Sequence, residues 1–478
     1  MLFNSLTFFV FFAIVVSIYW LIPNRYRSVL LLVGSYIFYG CWSWYFLALL
    51  IYSSLVDYYA CLAMYNSTED KVKKRYLMVS LLNNLGILFL FKYYNFFAES
   101  LIALAGTFGY ELSFTTLHIV LPVGISFYTF QTLSYTIDIY KGRLKPAKDL
   151  LHFCLFVSYF PQLVAGPITR ARDLIPQIEK DNRTVTKNDL MEGLSLAALG
   201  FVKKVLISDN IGGIVDAHFK DIQNLDGGSA LVGLVAFSIQ IYFDFSGYSD
   251  IARGVSRFFG VELAINFEQP YFSRNVTEFW RRWHISLSTW LRDYLYIPFG
   301  GNQKGKVRTY INLMLTMLIG GLWHGASWNF VIWGGLHGLY LAIHKLISPN
   351  KKPEDPIEEK KSVGNSIKIV LSVLLTYVLV LIAWLPFRSP DIHTTIVFAE
   401  KLSTLWQGIN MEQFAFILFL FLLVIIVDFP SYYYKTHYVL KMLPKWLFVP
   451  VVVFIFVAVF ISLALNYNVE RPFIYFQF

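Results

Sequence analysis

Ten stretches of predominantly apolar residues begin near positions 3, 43, 76, 117, 229, 309, 328, 367, 412 and 446, each long enough for a helix through a bilayer. A spanning helix needs about 20 such residues at about 1.5 Å rise each. Shorter apolar stretches at 28–41, 93–108, 149–165 and 190–206 suit tilted spans, interfacial helices or re-entrant segments. The pattern therefore predicts an all-α polytopic membrane protein with about ten to thirteen crossings. Composition points the same way: 56% of the 478 residues are hydrophobic and only 15% are charged, more apolar surface than one soluble core can bury.

The first 22 residues carry no basic start, and their apolar run ends in Ile22-Pro23-Asn24-Arg25 without a small-residue cleavage site, so they read as a retained first span. Cys41, Cys61 and Cys154 all lie in apolar stretches and read as packing residues, with neither a disulfide framework nor a spaced metal site. The net charge of +9 sits in short loops between spans, which is a topology signal and excludes a nucleic-acid footprint.

Those basic loops orient the chain. Arg25 and Arg27, then Lys71, Lys73, Lys74 and Arg75, then Lys141, Arg143, Lys145 and Lys148 are expected on the cytoplasmic side. The N-terminus then faces outward, provided that 76–108 makes one net crossing with part of it flat or re-entrant. Lys304, Lys306 and Arg308 before one span, and Lys345, Lys351, Lys352, Lys360 and Lys361 after the next, make 309–346 a hairpin with its tip outside. The mixed-charge, Pro-containing segment 350–364 reads as a cytoplasmic linker between a core over 1–349 and C-terminal transmembrane helices over 365–478.

Chemistry concentrates in two places. Region 271–300 is too polar to span and too aromatic for a solvated loop, and Trp280, Trp283, Trp290 and Tyr294 alternate there with Arg281, Arg282, His284 and Arg292. That mixture suits a funnel admitting a phosphate-bearing anion, or equally a snorkelling helix at the headgroups. The second is Gly320-Gly321-Leu322-Trp323-His324-Gly325, followed by Trp333-Gly334-Gly335-Leu336-His337-Gly338. Ionisable residues inside spans are costly and by default mark function. His324 lies about 24 Å along a helix from Arg308, and a plain hairpin offsets His337 from it by about 10 Å along the axis, so direct contact is not implied.

A neutral histidine at such depth can act as general base, or can simply bond a neighbouring helix. Metal binding is disfavoured because no second ligand lies three or four positions from either histidine. No Gly-x-Ser-x-Gly, Walker or dinucleotide pattern is present. Asp244 and Asp250 are expected in structural ion pairs with Arg253 or Arg257, and Gly166-Pro167 is expected to end a re-entrant helix.

In Phe279-Trp280-Arg281-Arg282-Trp283-His284 with Leu291-Arg292-Asp293-Tyr294, in Gly321-Leu322-Trp323-His324-Gly325, in Tyr242-Phe243-Asp244-Phe245-Ser246-Gly247-Tyr248 and in Pro472-Phe473-Ile474-Tyr475-Phe476, the chain resembles the membrane-bound O-acyltransferase family. The branch it resembles acetylates alginate or peptidoglycan. The resemblance covers nearly the whole chain. It implies a helical ring with re-entrant helices and a central funnel, a catalytic histidine at His324 and a second functional histidine at His284. It further implies a donor site at Arg281, Arg282, Trp283 and Arg292 for acetyl-CoA, no metal, and location in a bacterial cytoplasmic (inner) membrane. The implied partners are an extracytoplasmic SGNH-hydrolase-type acetyltransferase subunit, a polysaccharide acceptor and membrane lipids. The rival readings are D-alanyl transfer to teichoic acid and a non-enzymatic polysaccharide or ion transporter.

Overall fold

The computed structural model describes residues 1–180, 182–348, 363–466 and 472–476, and every regular element among them is helical. Among the described residues, seven helices are both long and apolar enough to cross a membrane: Trp44–Asn66, Asp70–Thr107, Gly227–Arg257, Trp328–Ile347, Ser366–Arg388, Met411–Tyr434 and Lys445–Leu465. They account for seven of the ten stretches marked in the sequence.

The other three differ for physical reasons. The stretch from 117 meets Pro122 and then Gly124, whose φ of 76° breaks the helical path, so a helix starts only at Ile125 and ends at Tyr140 after 16 residues. Nearly all its side chains are buried, as in a core helix rather than a lipid-facing one. A Cβ on Gly124 would sit 2.7 Å from the Leu163 carbonyl oxygen, so glycine serves both the turn and the close approach. Gly305–His324 has the length, at 20 residues, but Lys306, Arg308, Thr309, Asn312 and Thr316 make it polar for a span. Leu6–Leu21 is apolar and has only 16 residues; Ser5 caps it by accepting the Phe8 N–H at 3.2 Å, and Pro23 stands two residues past its end.

Residues 70–107 form one unbroken 38-residue helix with a wider turn at Phe89–Tyr93. At about 57 Å it is longer than a bilayer core requires, and it does not double back.

The chain divides into two compact units. The first comprises Met1–Ala197 and Tyr248–Ala264. Its core is aromatic, with Phe11 edge-on to Phe160 at 5.3 Å and the Tyr19 hydroxyl donating to the Phe259 carbonyl at 2.9 Å. A buried polar seam joins three helices: Asp57 accepts from Ser80 at 2.6 Å and from Asn84 at 2.8 Å, and Thr132 donates to Asn84 at 2.9 Å. Asp250 pairs with Arg253 at 3.5 Å, as the sequence led one to expect, while Arg257 pairs with Asp189, Glu192 and Glu262. The short helices Leu150–Ser158 and Phe160–Leu163 stop ahead of Gly166-Pro167.

The second unit comprises Ala198–Gly247 and Ile265–Phe478. Here the expectation for Asp244 is corrected. Its partner is neither Arg253 nor Arg257 but Lys204, which lies in the turn-widened helical stretch Val202–Ser208 and also pairs with Asp209 at 2.8 Å. Gly247 lets the two helices approach, because a Cβ there would stand 2.8 Å from the Gly200 carbonyl oxygen and 2.9 Å from the Lys204 backbone nitrogen. Of the expected linker 350–364, all but the last two positions lie outside the described residues; those two open the helix Val363–Arg388.

Candidate functional site

His324 is the last residue of Gly305–His324, and the chain reverses through Gly325-Ala326-Ser327 into Trp328–Ile347. The two helices are in backbone contact because glycines line the crossing: a Cβ on Gly321 would strike the Phe330 carbonyl oxygen, and one on Gly334 the Met317 carbonyl oxygen. Ser327 caps the returning helix by accepting the Asn329 N–H at 3.1 Å. Gly325 faces the Phe330 ring so closely that a methyl group there would overlap it. Gly325→Ala should therefore cost about 1–3 kcal/mol through overpacking. Gly106→Ala, with nothing within 4 Å, is the control that should leave thermal unfolding in detergent at the wild-type temperature or slightly above.

His284 occupies the break between two short helices, Val276–Arg282 and Ile285–Leu291, with φ 44° and ψ 54°. A left-handed conformation outside glycine costs energy and persists only where the surroundings impose it. They do so here: the Ile285 N–H donates to the Asn266 carbonyl at 2.9 Å, the Ser286 hydroxyl to Asn266 Oδ1 at 2.9 Å, and the Glu268 N–H to the Arg282 carbonyl at 3.0 Å. The break turns the imidazole inward, where His284 is 0% and His324 only 4% exposed.

The two rings lie 6.3 Å apart, centre to centre. Phe245 stands 4.6 Å and Trp323 5.9 Å from His284, while Trp323, Trp333, Tyr475 and Phe387 stand 5.0, 4.9, 5.3 and 5.4 Å from His324. The result is an aromatic-walled chamber, shielded from solvent, that holds two buried imidazoles. Such a setting strengthens electrostatic interactions with any polar group admitted and keeps water from competing.

His337, also fully buried, is separated from His324 by the Trp333 ring, 4.9 Å from one and 4.8 Å from the other. Trp280 Nε1 donates to His337 Nδ1 at 3.3 Å. An indole nitrogen only donates, so in the neutral ring the proton of His337 resides on Nε2.

The residues expected at a donor site do different things. Arg281 is exposed. Arg282 pairs with Glu278 at 2.9 Å and donates to the Glu268 carbonyl at 3.1 Å. Trp283 is fully buried, stacked on Phe279 at 5.5 Å and packed on Trp384 at 5.0 Å. Arg292 pairs with Asp293 at 2.7 Å and is largely exposed. Among the described residues no three His, Cys, Asp or Glu side chains gather as a metal site would need.

Sequence reasoning missed Phe387 and Trp384, two rings in the apolar second half of the helix Val363–Arg388, and gave Tyr475 no role although it stands in one of the motifs quoted. It also missed Lys204, a lysine hidden in an apolar stretch; an ionisable residue in such a stretch was the available signal.

A family model described as the membrane-bound O-acyltransferase family matches residues 145–373, a segment holding both histidines of the chamber. A probable alginate O-acetylase AlgI of Pseudomonas syringae pv. tomato is 45% identical over 395 residues, covering 82% of this chain and 73% of that one. The peptidoglycan O-acetyltransferase of Helicobacter pylori is 35% identical over 77% of this chain and 72% of its own. A teichoic acid D-alanyltransferase of Streptococcus thermophilus is 29% identical over 56% of this chain and 68% of its own.

Proposed function

Because the chain belongs to the membrane-bound O-acyltransferase family, we propose that this multi-pass membrane enzyme moves an acetyl group from a cytoplasmic thioester, acetyl-CoA, toward O-acetylation of an extracytoplasmic polysaccharide. Relatives named for alginate and peptidoglycan O-acetylation support the polysaccharide acceptor, and the matched share of this chain is larger for them than for the D-alanyltransferase. The reading includes the bacterial inner membrane, an outward N-terminus, and delivery of the acetyl group to an SGNH-hydrolase-type partner outside.

The observation that carries the reading is the pair of buried imidazoles 6.3 Å apart in one aromatic chamber. His324 takes the proton of the acceptor hydroxyl as its oxygen attacks the thioester carbonyl; the C–O bond forms, the C–S bond breaks, and the protonated His324 gives that proton to the leaving thiolate. His284 positions donor or acceptor from the opposite side. Arg281 and Arg292, exposed, are assigned to the donor phosphates, with Arg282 and Trp283 fixing their segment through Glu278 and the aromatic core.

Donor identity is tested by giving membranes that contain this protein and its operon partners either labelled acetyl-CoA or a D-alanyl carrier-protein thioester. Label should move only from acetyl-CoA. Transfer from the D-alanyl thioester alone would replace this reading with its rival, and transfer from neither would favour a transporter.

A further inference from the structure

The first unit holds a buried cation that no carboxylate answers among the described residues. Arg183 is only 5% exposed, yet its guanidinium has a single hydrogen-bond partner: Nη2 donates to the Ser28 hydroxyl at 3.0 Å, and the enclosed Nη1 has none. Glu179, four positions earlier, is engaged elsewhere and accepts the Lys148 N–H at 2.6 Å. A charge enclosed without a counter-ion is among the costliest groups a fold can carry. A second guanidinium lies against it. Arg27 donates from Nη1 to the Arg183 carbonyl at 3.1 Å and from Nε to the Tyr19 carbonyl at 3.1 Å, and sits 4.6 Å over the Tyr19 ring. It too meets no carboxylate among the described residues. Both charges bear on the Tyr19 hydroxyl, so the two cations share one corner of the unit.

The backbone adds positive charge at the same corner. The 17-residue helix Asn24–Gly40 begins there with no side-chain cap and no acid in its first turn, and that turn instead carries Arg25 and Arg27. Cations are favoured at the other end of a helix, where the dipole is negative. The arrangement is nonetheless held by specific contacts: Asn24 Nδ2 donates to Asn182 Oδ1 at 3.0 Å, and the Ser28 hydroxyl to the Ile178 carbonyl at 3.4 Å. Two unpaired guanidinium groups and an uncapped helix start, fixed together, are complementary to one small anion. Beside them the apolar helix Leu6–Leu21 ends in Trp20 and Leu21, 42% and 83% exposed, and Tyr26 is 49% exposed with Arg25 over its ring at 4.7 Å. An aromatic and apolar collar next to a cationic corner is what the edge of a membrane calls for.

We propose that Arg183 and Arg27, with the uncapped start of Asn24–Gly40, form a phosphate site whose ligand is the headgroup of an anionic phospholipid, its acyl chains lying along Trp20 and Leu21. The phosphate supplies the counter-charge that the protein lacks at this corner and accepts from guanidinium and backbone N–H groups together. The exposed collar selects a lipid over a free phosphate, because a soluble ion leaves Trp20 and Leu21 without a partner of their own kind. The lipid then acts as a structural member of the first unit, joining the start of Asn24–Gly40 to the segment around Arg183. None of these residues belongs to the histidine chamber, so the proposal stands apart from the acetyl-transfer reading.

The test follows thermal unfolding of the full chain, purified in an uncharged detergent and freed of lipid, as phosphatidylglycerol, phosphatidylcholine or inorganic phosphate is added. Phosphatidylglycerol should raise the unfolding temperature saturably, as a ligand of the folded state does. Phosphatidylcholine, whose choline brings a further cation, and inorganic phosphate at the same concentration should do much less. In Arg183→Met and Arg27→Gln the phosphatidylglycerol concentration for half the effect should rise roughly 10- to 100-fold, the loss expected for a hydrogen bond to a charged group. Arg75→Gln, an exposed position on another helix, should change it by no more than about five-fold. Without lipid, Arg183→Met should unfold at the wild-type temperature or above, since it removes a charge that has no counter-ion; a purely structural arginine predicts a lower temperature there and an unchanged lipid response. Arg27→Gln, at a half-buried position, decides the matter by itself if Arg183→Met yields no folded protein. Equal half-saturation in wild type and both variants would overturn the proposal, as would the absence of any shift with phosphatidylglycerol. Stabilisation by inorganic phosphate equal to that by phosphatidylglycerol would overturn the lipid and leave a soluble phosphate in its place.

Discussion

Replacing His324 with alanine is expected to lower acyl transfer by about 10²–10⁴-fold, the range a positioned general base supplies, at wild-type abundance in the membrane. The size follows from the site. His324 ends its helix, lies against Trp323, Trp333, Phe387 and Tyr475, and is one of two imidazoles in a chamber closed to solvent. With the imidazole gone, the nearest other imidazole, His284, stands 6.3 Å from the vacated ring position and is held by its own left-handed backbone turn. His324→Gln, which keeps hydrogen-bonding capacity and much of the volume but cannot accept a proton near neutral pH, separates base catalysis from packing. It should be as inactive as alanine, whereas a packing role predicts that glutamine restores function.

The second large effect is on stability. Lys204→Met should cost about 3–5 kcal/mol, because removing one member of a buried ion pair strands the remaining charge. Here it strands two carboxylates, since Lys204 pairs with both Asp244 and Asp209, and its own side chain is 1% exposed. The loss should appear as a marked fall in the unfolding temperature of protein in detergent. Adding Asp244→Asn and Asp209→Asn to Lys204→Met should recover much of it, because the neutral amides no longer need the cation. An unchanged unfolding temperature in Lys204→Met would mean that the pair contributes little to holding the second unit together.

Much of this molecule was legible in its sequence, and the exceptions share a cause. Long apolar runs are read directly because lipid imposes a length and a composition on a span, and seven of ten emerged as spanning candidates. The run from 117 misled because hydropathy is blind to backbone geometry: Pro122 and the positive φ of Gly124 postpone the helix to Ile125. His324 was picked out by chemistry, as an imidazole among tryptophans and glycines, and His284 as a functional histidine by the family resemblance. Their separation of 6.3 Å was not available from spacing, since they are 40 positions apart in the chain and the helix Gly305–His324 runs its full length before His324 is reached. Asp244 shows the same limit from the other side. Arg253 and Arg257 share its helix and are near in sequence, but its buried partner comes from a different helix at Lys204. Local charge spacing finds pairs such as Asp250 with Arg253; tertiary contacts decide the rest.

The most direct test of the central claim is transfer of isotopic acetyl from acetyl-CoA, supplied only to the cytoplasmic face of sealed membranes containing the operon partners, with wild type and His324→Ala at equal protein level. Label is expected on an extracytoplasmic acceptor with wild type, and at least about 10²-fold less of it with His324→Ala. Equal transfer by the two proteins would contradict it.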